Sequence, residues 1–286
     1  MDGKRHSVAG ADGVEIGLLT AGTGPALLLV HGGMGRLEGW EPMWGALAEH
    51  WRVTAMDRRG RASSGDSQPY ALSKEYEDLA SVAAHLAQEQ GGPIDVFAHS
   101  YGATCALGAA SLGAPSLAAP SLGTASLAAP SLAAPIQRLA LYEPPGPQTV
   151  PLDWYDRVCA MVAAGQAGRA MLSFLTEIIG LTAEQVEEAR NSPGAQDVLP
   201  IVSATLQREG LALIQVDLLA TARTVACPVL LLLGENSPHW ARDITHALAE
   251  TLATPEVVRL PGIGHEAIFA EPDLLVSELR RFFDSV

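Results

Sequence analysis

The stretch Val96-Phe97-Ala98-His99-Ser100-Tyr101-Gly102-Ala103 decides how this chain reads. Apolar residues from Ile94 to Phe97 predict a buried strand, and the small residues after Ser100 open a helical stretch. A serine at a sharp strand-to-helix turn has its hydroxyl pushed out at the sheet edge, above the N-terminus of the next helix. Small neighbours are needed there because the strand and helix backbones nearly touch. The pattern G-x-S-x-G expresses that need, with Ala98 here in place of the first glycine. Ser100 is therefore the candidate nucleophile.

The segments on either side follow a strand–helix alternation. His6–Ala9 and Val14–Ala21 predict two strands joined at the turn Ala11-Asp12-Gly13. Pro25–Val30 is a continuous apolar run, as expected of a strand buried on both faces. Trp40–His50 predicts a helix, Trp51–Met56 a strand, and Lys74–Gln90 an amphipathic helix stopped at Gly91-Gly92-Pro93. Later strands are expected at Ile136–Tyr142, Pro228–Leu233 and Val257–Leu260, and a closing helix at Asp273–Phe283. This alternation implies an α/β fold: a mostly parallel, twisted sheet covered by helices on both faces.

Two segments interrupt the alternation. Residues 147–225 separate two late strands and are mostly helical in pattern, which predicts a helical cap inserted into a core of residues 1–146 and 226–286. Trp154, Tyr155, Met161, Met171 and Phe174 supply its apolar material, chiefly for its own packing. The second interruption, residues 111–135, repeats with a five-residue period, from Ser111-Leu-Gly-Ala-Pro115 to Ser131-Leu-Ala-Ala-Pro135. Proline at that spacing cannot sustain an α-helix. An extended or turn-rich insert is expected, remote from Ser100, and most simply a neutral expansion.

Composition narrows the function. The 286 residues carry a formal net charge of -14, and Arg58-Arg59-Gly60-Arg61 is the longest basic run. Nucleic acid and anionic membrane surfaces are unsuitable partners for such a chain. A small-molecule substrate is the natural alternative. The N-terminal Met1-Asp-Gly-Lys-Arg-His lacks the apolar run of a signal peptide, and no segment approaches a membrane span. Cys105, Cys159 and Cys227 are widely spaced among apolar neighbours and read as buried thiols of a reducing cytoplasm. Phosphate-binding, dinucleotide and metal-ligand patterns do not occur, so cofactor-independent chemistry is expected.

A serine hydroxyl needs a base, a carboxylate that orients the base, and donors aimed at the developing oxyanion. His31-Gly32-Gly33-Met34-Gly35 follows the first long strand, and its glycines allow close approach of the backbone. The amides of Gly33 and Tyr101 are the candidate donors. Among eight histidines, His265 in Pro261-Gly262-Ile263-Gly264-His265-Glu266 is the best base, in a glycine-flanked loop past the last strand. His31 is expected to brace the oxyanion loop, and His99 to point away from the serine across the turn.

Together these pieces resemble the α/β-hydrolase superfamily, in its cap-bearing branch of esterases, haloperoxidase-like proteins and lactone hydrolases. The resemblance rests on His31-Gly32-Gly33, Asp57-Arg58-Arg59-Gly60-Arg61-Ala62-Ser63-Ser64-Gly65, the turn at Ser100, and Gly264-His265. It implies Ser100 as nucleophile, His265 as base and the Gly33 and Tyr101 amides as oxyanion hole. The implied activity is hydrolysis of a small ester, lactone or thioester. Carbon–carbon bond hydrolysis or natural-product tailoring, and a non-catalytic ligand receptor, are the alternatives.

The acid departs from the pattern. The superfamily usually places an aspartate three residues after the glycine that ends the penultimate strand. In Gly234-Glu235-Asn236-Ser237 that position holds Ser237. Two substitutes remain: Glu235 in the same loop, and Glu143 in Tyr142-Glu143-Pro144-Pro145 at the end of the preceding strand. Some family members carry their acid at the latter site, and Glu143 is favoured.

Overall fold

The apolar runs of the sequence become the inner strands of one sheet. In the computed structural model, which describes residues 1–112, 134–191 and 197–284, eight strands pair. They are β1 (Lys4–Ala9), β2 (Glu15–Ala21), β3 (Ala26–Val30), β4 (Arg52–Met56), β5 (Ile94–His99), β6 (Ile136–Tyr142), β7 (Val229–Gly234) and β8 (Pro255–Leu260). Their order is β1-β2-β4-β3-β5-β6-β7-β8. The β1–β2 and β2–β4 pairings are antiparallel, and every pairing from β4 to β8 is parallel. Burial is greatest in the inner strands and least at the two edges. β3 and β7 are buried at every residue, whereas β1 and β8 alternate between exposed and covered positions.

Because side chains alternate along a strand, each inner strand feeds two cores. Leu28, Val30, Val96, Ala98, Leu139 and Leu141 face one core, and Leu27, Leu29, Phe97, Ala140 and Tyr142 face the other. The first is covered by α2 (Leu72–Gln90) and α3 (Tyr101–Ser111), the second by α1 (Glu41–Ala48). Each fully buried leucine contributes about 1.5–3 kcal/mol relative to exposure, so these runs supply much of the driving force. α2 stops where the sequence indicates, with Gly91 in the left-handed region at φ 79° and its N–H bonded to Ala87 O.

Between β6 and β7 the described chain runs through α4 (Leu152–Ala163), α5 (Ala167–Ser173), a π-helical turn at Phe174–Ile178, α6 (Ala183–Asn191), α7 (Val198–Gln215) and α8 (Leu218–Ala222). Trp154, Ile178, Leu206 and Leu213 from this segment join the same core as α2 and α3. α9 (His239–Thr251), α10 (Ala267–Ala270) and α11 (Pro272–Phe283) complete the chain, α11 packing with α1 on the second face. No described helix is long and apolar enough to cross a membrane. The five-residue repeats lie outside the described residues except at their ends, and Ser111 of the first repeat closes α3 instead of opening a loop. Of the cysteines Cys105 is buried, while Cys159 and Cys227 are only partly so, a correction to the expectation of three buried thiols.

Candidate active site

The parallel strands β3 to β8 end on one side of the sheet, and the loops leaving those ends carry the chemistry. Ser100 links β5 to α3 with φ 52° and ψ -128°, a conformation that costs a non-glycine residue free energy. Met34 (φ 55°), after β3, and Glu143 (φ 49°), after β6, are also in positive-φ conformations. Three strained residues thus meet at neighbouring strand ends. Gly102 is required by the turn, since a Cβ there would collide with the carbonyl oxygens of Val30 and His31. Gly32 has a similar reason, as a Cβ would lie 2.9 Å from Ser100 Cβ.

His265 Nδ1 stands 2.6 Å from Glu143 Oε2, both groups buried. A carboxylate only accepts, so Nδ1 carries the proton and Nε2 keeps its lone pair. The other carboxylate oxygen, Oε1, accepts from Gly234 N at 2.7 Å and from Ser237 Oγ. The serine at the customary acid position thus holds the glutamate that replaces it. Glu235 is exposed and accepts from Gly262 N at 2.9 Å, bracing the His265 loop. Of the two candidates it is Glu143 that reaches the imidazole.

Aromatic rings surround His265. His99 lies 4.5 Å from it, Trp240 5.4 Å and Tyr142 6.0 Å, centroid to centroid, and Tyr142 also stacks on His99 at 5.0 Å. His99, expected to point away from the serine across the turn, has its ring against the candidate base, with its Nε2 3.2 Å from His265 O. Burial, with the His265 charge, pushes the His99 pKa well below that of an ordinary histidine. No hydrogen bond joins Ser100 Oγ to His265 among the described residues.

Ser100, Gly33 and Tyr101 line one cavity with residues of the inserted helices, among them Trp154, Phe174, Leu206 and Glu209. Neither the Gly33 nor the Tyr101 amide donates to a described residue, so both N–H groups remain available. Trp154 and Phe174, which the sequence offers chiefly as packing material, also line this cavity.

A buried charge network braces the loops. Arg58, after β4, donates to both oxygens of Glu75 at 2.9 Å, to Glu209 Oε1 at 2.7 Å and to the carbonyls of His31 and Gly32. Its guanidinium sits 4.6 Å from the centre of the Tyr101 ring. Arg61 donates to the same Glu209 oxygen at 2.5 Å. His31 accepts the Arg58 amide on Nε2 at 3.1 Å, bracing the loop as the sequence suggests. Burial, then Arg58 and Arg61, hold its pKa well below the usual range. The longest basic run of the sequence is thus an internal brace: Arg58, Arg59 and Arg61 are each about 1% exposed. Glu209 is the main residue that sequence reasoning misses. A readable signal existed nearby, because Glu75 and Asp78 fall on the apolar face of α2 with Leu79 and Val82 and need buried cations.

A family model described as "Alpha/beta hydrolase family" matches residues 27–278. Among solved structures, an alpha/beta hydrolase from Sphaerobacter thermophilus DSM 20745 is 31% identical, with a TM-score of 0.78 over 97% of this chain and 100% of that one. A hydrolase from Pseudomonas aeruginosa PA01 is 22% identical, with a TM-score of 0.75 over 100% of both chains. A thermophilic esterase from Thermogutta terrifontis is 19% identical, with a TM-score of 0.73 over 98% of each chain. None of the curated proteins matches the chain. With the family model spanning most of its length, the chain belongs to the alpha/beta hydrolase family.

Proposed function

We propose that the protein is a cofactor-independent serine hydrolase that cleaves a small ester, lactone or thioester through an acyl-enzyme. The observation that carries this reading is the 2.6 Å contact between His265 Nδ1 and Glu143 Oε2, at strand ends next to Ser100. With Nδ1 committed to Glu143, the Nε2 lone pair removes the Ser100 proton as Oγ attacks the acyl carbon. The carbonyl oxygen becomes an oxyanion and takes the free amides of Gly33 and Tyr101. His265 then gives its proton to the leaving oxygen or sulfur, and the C–O or C–S bond breaks. Water, deprotonated in turn by His265, attacks the acyl-enzyme and frees Ser100. Glu143 accepts from Nδ1–H throughout, stabilising the imidazolium that forms in each half-reaction.

Turnover of chromogenic short-chain esters by the wild type tests this reading. Ser100→Ala should keep the fold and lower kcat by several orders of magnitude, to about the residual rate left by an oxyanion hole alone. Activity retained in that variant on every accepted substrate overturns the nucleophile, and a wild type that binds acyl compounds without turning them over is a receptor.

A further inference from the structure

The cavity in front of Ser100 is lined largely by apolar side chains, and among its described lining residues Glu209 is the one carboxylate. Glu209 projects from α7 and is only 5% exposed. Its two oxygens differ. Oε1 is taken by Arg58 and Arg61 at 2.7 and 2.5 Å. Oε2 accepts no hydrogen bond from any described residue and lies 3.5 Å from where a Cβ on Gly33 would be. Oε2 is not enclosed by protein but open to the cavity, so a ligand that displaces water from it must supply a donor in exchange or leave it unsatisfied. Burial works against charge on Glu209, but Arg58 and Arg61 outweigh it and hold its pKa below the ordinary glutamate value.

We infer that Glu209 Oε2 is a substrate-binding group, selecting acyl chains that carry a hydrogen-bond donor, an ammonium or a hydroxyl, and disfavouring chains that end in a carboxylate. This rests on the serine-hydrolase reading, in which the acyl chain stays on Ser100 and fills the cavity that Ser100 shares with Glu209. Arg58 and Arg61 fix the carboxylate on one oxygen and leave the other turned to the ligand. The surrounding Trp154, Phe174 and Leu206 are apolar, so the cavity offers few other partners to a polar chain end. An anionic chain end would face Oε2 in an apolar-lined cavity, where like charges repel more strongly than in bulk water.

The test compares para-nitrophenyl esters of short acids whose chains end in methyl, hydroxyl, ammonium or carboxylate. The wild type should favour the ammonium or hydroxyl ester over the methyl one by about tenfold or more in kcat/KM, with the carboxylate ester last. The two donor esters tell the charged donor from the neutral one. In Glu209→Gln the donor-to-methyl ratio should fall toward unity, and Glu209→Asp should restore part of it. A counter-ion with a purely structural role lowers all four esters together and leaves the ratio unchanged, which overturns the inference, as does a wild type without preference. Binding of the matching carboxamides to Ser100→Ala provides a readout independent of turnover. A donor preference there without hydrolysis of any ester removes the hydrolase reading alone. Equal binding of all the carboxamides removes the role of Glu209.

Discussion

Ser237 and Glu143 show how one substitution at the acid position is absorbed by its neighbours. A serine side chain is too short and too weak an acceptor to orient an imidazole, but its hydroxyl donates to Glu143 Oε1 while Gly234 N supplies a second bond. Oε1 is thereby held in place and Oε2 is left for His265 Nδ1 at 2.6 Å. Glu143→Gln should lower kcat by about three to four orders of magnitude, because an amide can present N–H to the ring and favour the wrong tautomer. Glu235→Gln should stay within about twofold, since its carboxylate contacts the Gly262 amide and solvent. Steady-state rates of the two variants, with circular dichroism to verify folding, check the assignment. Equal losses would mean that the His265 loop, and not the tautomer, is what matters.

At the scale of elements, the turn into α3 depends on how closely that helix can approach β3. A Cβ at position 102 would overlap the carbonyl oxygens of Val30 and His31, so Gly102→Ala must push α3 away from the sheet or tilt the His31–Gly33 loop. Overpacking of this kind costs about 1–3 kcal/mol. Urea unfolding should show that loss, with activity falling further because Ser100 and the Gly33 amide move relative to each other; an unchanged midpoint would refute the close approach. This packing also explains how much of the molecule could be read from the sequence. Inner strands such as Ala26–Val30 are fully apolar and glycines punctuate the elbow, so strand placement and the positions of Ser100 and His265 follow from local pattern. What escaped depends on tertiary pairing. His99 looks like any strand-end residue until His265, distant in sequence, stacks against it at 4.5 Å. Glu209 sits in an unremarkable helical stretch of the insertion, and its meaning arises only when α7 brings it to Arg58 and Arg61. Local periodicity also predicts that Trp154 is buried, at 3% exposure, without revealing which cavity it faces.

For the whole molecule, two histidines at the site, His31 buried and His99 half-buried, tie stability to pH. His31 and His99 both have pKa values pushed well below the ordinary value of about 6.5, chiefly by burial, whereas in the unfolded chain each titrates near that value. As pH falls through about 6.5 the unfolded state binds protons that the native state does not, so stability is full above that pH and declines below it. The slope approaches about 1.4 kcal/mol per pH unit for each histidine, and from pH 7 to 5.5 each should cost about 1 kcal/mol. Carboxylates add little in this window. Ordinary ones stay ionised, and Asp78 and Asp95, raised first by burial, act in the opposite direction closer to their own range, where the native state takes up protons first. Relief of repulsion in a chain of net charge -14 likewise belongs to lower pH, where surface carboxylates begin to protonate. Urea unfolding at pH 7, 6.25 and 5.5, about the interval over which an unperturbed histidine takes up its proton, should therefore show a drop of about 2 kcal/mol. His99→Phe keeps an aromatic ring against Tyr142 and His265 but cannot titrate, so its drop should be about half as large. Stability that stays flat across this range would mean that both histidines are protonated in the native state, contradicting the packing of His31 beside Arg58 and of His99 against the His265 ring.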